Sequence, residues 1–168
     1  MVDVATIRCL RTQFVYITTT LPPSMQAEFE ERNHLVYPTT IRASSNRPNI
    51  FYMVRKVDAQ KGSLLEQTAT EVRDAWNVSN LFDHSRDKII IYVRMRDEAM
   101  QLAGILSCES YTSKSGTPAE KKDILERWTQ DVSRPFIVAT TALAEGFDYP
   151  HVRLVVNVNE PESLVIFV

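Results

Sequence analysis

The segment from Phe136 to Asn159, FIVATTALAEGFDYPHVRLVVNVN, constrains the fold more than any other. Two apolar, strand-forming runs, Phe136 to Ala139 and Val152 to Val158, flank a polar loop from Thr140 to Pro150. Unbroken apolar runs of this length suit strands buried on both faces, the situation of a parallel sheet with helices on each side. In such sheets ligands collect beyond the carboxyl ends of the strands, so the loop is where chemistry is expected. Thr140 and Thr141 offer hydroxyls, Gly146 allows close backbone approach, and Asp148 supplies a carboxylate just before the stiff Tyr149-Pro150 exit. Such a set can grip phosphates, sugar hydroxyls or the water of a bound magnesium. Read alone, the same residues more often make a strand-end turn whose Thr and Asp satisfy loose backbone groups.

The rest of the chain supplies the layers that such a sheet requires. Phe14 to Thr18 reads as a short strand running into Leu21-Pro22-Pro23, and Ser24 to Asn33 as a helix with Met25 and Phe29 on one face. A polar connector follows, then an alternating strand with Ile50, Tyr52 and Val54 on one side. Arg47 precedes a proline, which favours an extended backbone and an outstretched side chain. Lys61 to Asn77 is predicted helical, with Leu64, Leu65, Thr68, Val72 and Trp76 inward. Lys88 to Val93 is a β-branched strand with Arg94 and Arg96 at its carboxyl end. From Asp97 a helix carries the stripe Ala99, Leu102, Ala103 and Leu106. A short strand spans Glu109 to Thr112. Thr117-Pro118-Ala119-Glu120 then forms a capping box with proline at the first helical position, and Ile124, Leu125 and Trp128 face inward. From Asn49 onward the predicted order is strand, helix, strand, helix, strand, helix, strand, strand, which specifies an α/β fold with a mostly parallel sheet.

Several function classes are disfavoured. A formal net charge of -2 gives no global positive field, so nucleic-acid binding must be local. Cys9 and Cys108 lie far apart, and His34, His84 and His151 have no partners at ligand spacing, so neither a zinc site nor a disulfide framework is expected. Cys108 lacks the C-x-x-x-x-x-R loop of tyrosine phosphatases, since position 114 is Lys. No apolar run is long enough for a membrane span, and a soluble intracellular protein is expected.

ATTALAEGFDYPHVRLVV resembles motif V of superfamily 2 helicases, in the form found in RecQ-type DNA helicases, over 18 positions at fixed spacing. FVYITTTLPP resembles motif III of the same family, KIIIYV its motif IV, and the run from Arg42 to Val54 its connector pattern RxxxxRPNIxYxV. The resemblance implies a RecA-like three-layer αβα lobe, truncated at its carboxyl end. Residues 1–43 would be the tail of a first lobe and residues 44–168 an incomplete second one. It implies DNA-backbone or nucleotide contacts for Arg94, Arg96, Thr140, Thr141, Gly146 and Asp148, inter-lobe coupling for Thr18 and Thr20, and linker roles for Arg42 and Arg47. ATP and magnesium are the implied cofactors, DNA and a missing first lobe the partners, 3'-to-5' DNA unwinding the parent activity, and the nucleus its place.

The chain departs from the family pattern in telling places. It contains no G-x-x-x-x-G-K-S/T phosphate loop, no D-E-x-H stretch and no QxxGRxGR, so ATP hydrolysis by this chain alone is not expected. Tyr111-Thr112 stands for the usual Tyr-His, and Ala144-Glu145 where small or apolar residues are commoner. A catalytically inactive, helicase-derived nucleic-acid-binding or interaction domain is the second expectation.

Overall fold

The computed structural model describes residues 13–18, 21–44, 47–58, 60–78, 80–144 and 147–159. Thr20, Gly146 and the last nine residues, with their expected roles, lie outside these. The chain divides into two compact units, one containing the described residues up to Met53 and the other those from Val54 onward.

In the first unit Pro22 and Pro23 open a single 3-10 turn, Pro23–Met25, which runs into helix α1, Gln26–Arg32. Arg42 ties this turn to the chain beyond the helix, donating from Nη1 to the Leu21 carbonyl (2.8 Å) and from Nη2 to Gln26 Oε1 (3.3 Å). The expected strand at 14–18 is not formed: residues 13–18 have no regular secondary structure. Phe14 and Tyr16 are half-buried while Val15 and Ile17 are exposed. Tyr16 meets Phe29 edge to face at 5.4 Å between ring centroids. The expected strand at 50–54 is also absent, and residues 50–58 run irregular and exposed. Ile50, Tyr52 and Val54 share no buried side, because a strand forms only where a neighbouring backbone completes its ladder.

The second unit carries the sheet. Helix α2, Leu64–Asn77, starts at a full capping box in which Ser63 and Glu66 each satisfy the other's backbone N–H. Strand β1, Lys88–Tyr92, is followed by helix α3, Arg96–Leu106, then strand β2, Glu109–Tyr111. Helix α4, Pro118–Gln130, begins at the predicted box, with Thr117 N–H donating to Glu120 Oε2 at 2.7 Å. Strand β3, Phe136–Ala139, a 3-10 turn, Thr141–Leu143, and strand β4, Val152–Asn157, complete the unit. Among the described residues the sheet has four strands in the order β2-β3-β1-β4, and every pairing is parallel. The RecA-like α/β architecture expected from the motifs is thus observed.

Strand alternation sorts the core into two layers. Ile89, Ile91, Phe136 and Val138 pack on one side against Leu65, Ala69 and Val72 of α2 and Ala99, Leu102 and Leu106 of α3. Ile90, Ile137 and Ala139 pack on the other against Trp128 of α4, with Ile124 and Leu125 beside it. On β4, Val152 joins the α4 layer and Leu154 the α2/α3 layer, although two residues apart they should share a face. A register shift explains this: Lys88 pairs with Val152 and Ile89 with Leu154, so Arg153 is an extra, bulged residue. Its Nε donates to the Leu81 carbonyl at 3.3 Å.

Lys88 begins β1 yet is only 1 % exposed. Its Nζ donates to two carbonyls of the α4–β3 loop, Asp131 at 2.7 Å and Arg134 at 3.1 Å. Burial pushes its pKa below the ordinary 10.5, and the nearby Asp131 charge opposes that shift. Around the same loop, Glu109 accepts from Arg127 (3.1 Å) and Arg134 (2.9 Å), joining the amino end of β2 to α4 and β3.

Candidate functional site

Because all four strands run parallel, their carboxyl ends meet along one edge. Central β1 and β3 are adjacent and in register there, with Tyr92 opposite Ala139. The ladder extends one step further, Val93 N–H donating to the Ala139 carbonyl at 2.9 Å and Val158 N–H to the Tyr92 carbonyl at 2.9 Å. Arg94 and Arg96 leave β1 at this edge, both exposed, and Thr140 and Thr141 leave β3 beside them. Neighbouring parallel strands lie about 5 Å apart, so the two turns leave the sheet at neighbouring points.

Local chemistry shapes both turns. Arg96 opens α3, and Glu98 closes that helix start by accepting from Met95 N–H at 3.0 Å. Thr140 is extended, and its N–H is taken by the Tyr111 carbonyl at 3.1 Å. Its own carbonyl accepts from Leu143 N–H, and that of Thr141 from Ala144 N–H. The Thr141 side chain is exposed and that of Thr140 half-buried. Tyr92, the last residue of β1, has its pKa raised by burial.

Asp148 belongs to a different neighbourhood. It is exposed, between Phe147 and Tyr149, whose rings lie 5.7 Å and 6.1 Å from that of Trp128 on the α4 side of the sheet. Tyr149 Oη donates to the Thr129 carbonyl at 3.3 Å, near the end of α4. This part of the loop is already returning toward the start of β4. Thr18 is exposed in the first unit. Arg42 serves the turn described above, and Arg47 Nε donates to Asn49 Oδ1 at 3.4 Å.

Two lysines of the same edge escaped the motif reading. Lys114 sits exposed on the turn that follows β2, and Lys121 donates from Nζ to the Ser113 carbonyl at 2.9 Å while standing 5.9 Å from the Tyr111 ring centroid. The rule that drew attention to Arg94, a cation just past a strand's carboxyl end, applies equally to Lys114. Two hollows, one lined by Asp83, Arg86 and His151 and the other by Trp76, Cys108 and Phe136, open at the opposite, amino-terminal edge.

Guanidinium and hydroxyl groups on one edge suit phosphate oxygens, which accept hydrogen bonds from both. Among the described residues no group of three or more His, Cys, Asp or Glu could hold a metal ion. The sequence profile of the helicase conserved C-terminal domain matches residues 73–168, more than half of the chain. The chain belongs to the helicase C-terminal domain family.

Within that family the chain is similar to RecQ-type proteins, as its motifs implied. It is 27% identical over 172 residues to the ATP-dependent DNA helicase Q-like 2 of Arabidopsis thaliana, an alignment covering 96% of this chain and 23% of the relative. It is 26% identical over 133 residues to the ATP-dependent DNA helicase Q1 of Rattus norvegicus, covering 74% of this chain and 19% of the relative. The chain thus spans less than a quarter of the length of either relative. Among the described residues no helix is long and apolar enough to cross a membrane.

Proposed function

We propose that this chain acts as the second motor lobe of an ATP-dependent 3'-to-5' DNA helicase, contributing DNA-backbone contacts and half of an inter-lobe nucleotide cleft. The supporting observation is that β1, which leads to Arg94 and Arg96, and β3, which leads to Thr140 and Thr141, are adjacent and in register at their carboxyl ends. In this reading Arg94 and Arg96 hold phosphate by charge-assisted hydrogen bonds, and the threonine hydroxyls orient it. Gly146 and Asp148 extend the contact along the loop, and Thr18 and Thr20 couple it to a first lobe, of which residues 1–43 are the tail and residues 44–168 the partner lobe. ATP supplies the driving reaction when bound, with its magnesium held by groups outside the described residues. DNA in the nucleus is the substrate.

Fluorescence anisotropy of labelled single-stranded DNA across a salt series tests the reading. Saturable binding that weakens with salt is expected, and Arg94→Ala should flatten the log–log salt slope by about 0.7, the share of one phosphate contact on a single strand. Asp148→Ala measures whether the returning loop takes part. A second reading, an inactive helicase-derived interaction domain, is favoured by the formal charge of -2 and the lack of a phosphate loop within these 168 residues. It prevails if the folded chain binds no DNA at low salt.

A further inference from the structure

We propose that residues 51–57 form a proteolytic processing site, cut after Arg55 or Lys56 by an endopeptidase that reads a basic side chain, and that the cut leaves the sheet-bearing unit folded. Endopeptidases take their substrates as extended chains, so a native protein is nicked where several consecutive residues are exposed and released from regular structure. Every residue of this run is exposed and irregular, with Phe51 at 87% and Val54 at 93% of full exposure. The run is bounded on both sides. Before it, Ile50 N–H closes a turn onto the Arg47 carbonyl at 3.0 Å. After it, Asp58 is pinned to α2, its N–H donating to Gln67 Oε1 at 3.0 Å and its carbonyl accepting from Gln67 Nε2 at 2.7 Å.

The two basic residues of the run, Arg55 and Lys56, form no ion pair or hydrogen bond among the described residues, so a specificity pocket meets no competitor for them. Several cations elsewhere are held. Lys88 is buried, Arg86 is paired with Asp83 at 3.0 Å, and Arg127 lies in a helix and pairs with Glu109. The position also falls at the boundary between the two units, between Met53 and Val54, and among the described residues the buried hydrophobic ones run from Leu65 to Val158.

The test is limited trypsin digestion of the full chain, followed by intact mass spectrometry. A persistent fragment beginning at Lys56 or Val57, melting cooperatively once purified, is expected. The double substitution Arg55→Ala with Lys56→Ala should slow its appearance at least tenfold while leaving the melt of the uncut chain unchanged. A persistent product still joined across positions 55–57, an unchanged cutting rate in the double variant, or a fragment that fails to melt cooperatively would each overturn the proposal.

Discussion

Replacing Lys88 by methionine sets two opposing costs against each other inside one buried site. The ammonium is 1 % exposed and donates to the carbonyls of Asp131 and Arg134, so its removal leaves two acceptors without this donor. A buried polar group deprived of its partner costs about 1–3 kcal/mol. Against this stands the desolvation of the ammonium itself, which Lys88→Met relieves. The Asp131 carbonyl keeps the Arg134 N–H at 3.1 Å, so the substitution takes the Lys88 donor from both carbonyls but leaves that one a partner, and a net loss of about 1–2 kcal/mol is expected. With urea m-values of about 1–3 kcal/mol/M, the midpoint should fall by roughly 0.5–1 M, read by tryptophan fluorescence. The pH dependence adds a signature. Because burial lowers the folded pKa below 10.5, the unfolded chain binds more protons between the two values, and the native chain gains stability as pH rises through that window. Neutral lysine keeps both donors, so the gap between native protein and Lys88→Met should widen toward pH 10. A variant as stable as the native chain, or a gap that narrows with pH, would refute the reasoning.

Further outcomes follow from local geometry. Glu120 and Glu66 have pKa values lowered by the backbone N–H groups and hydroxyls of their capping partners, so their contribution is full above the ordinary 4.5 and lost as pH falls through the lower folded values; Glu120→Gln should flatten the acid limb of a pH–Tm profile. Gly116 has φ +101° and a Cβ there meets the Glu120 carboxylate, whereas a Cβ on Gly104 in α3 meets open space. Differential scanning calorimetry should therefore show Gly116→Ala destabilised and Gly104→Ala stabilised by about 0.5–1 kcal/mol. Burial pushes the Cys108 thiol up to about 12, so in a Cys9→Ser background it should react with a disulfide reagent at pH 8 at least tenfold more slowly when folded than in urea.

The helices and the inner strands were legible in the sequence because their signals are local. Ser63 and Thr117 announce the starts of α2 and α4 through boxes closed within four residues, and the stripe on α3 needs only its own periodicity. Ala69 escaped notice because a small residue adds little to a hydrophobic pattern, yet it is buried between α2 and the sheet. The runs at 14–18 and 50–54 read as strands and formed none, since pairing depends on a neighbour that local sequence cannot supply. Lys88 read as the polar start of a strand; its burial arises from a loop more than forty positions away. Arg94, Arg96, Thr140 and Thr141 were placed on one edge by strand ends alone, whereas the displacement of Asp148 toward Trp128 follows from ring packing that spacing does not encode.

The bulge at Arg153 gives the chain one position where its length is negotiable. Val152 already faces the α4 layer and Leu154 the α2/α3 layer, so deleting Arg153 would leave an ordinary alternating strand with every inward side chain on its present side. The same deletion at Val155 would send every later residue of the strand to the wrong layer. Among sequences built on this plan, single-residue gaps should therefore gather at the start of the last strand and be missing from its middle, and a gap placed there carries no information about function.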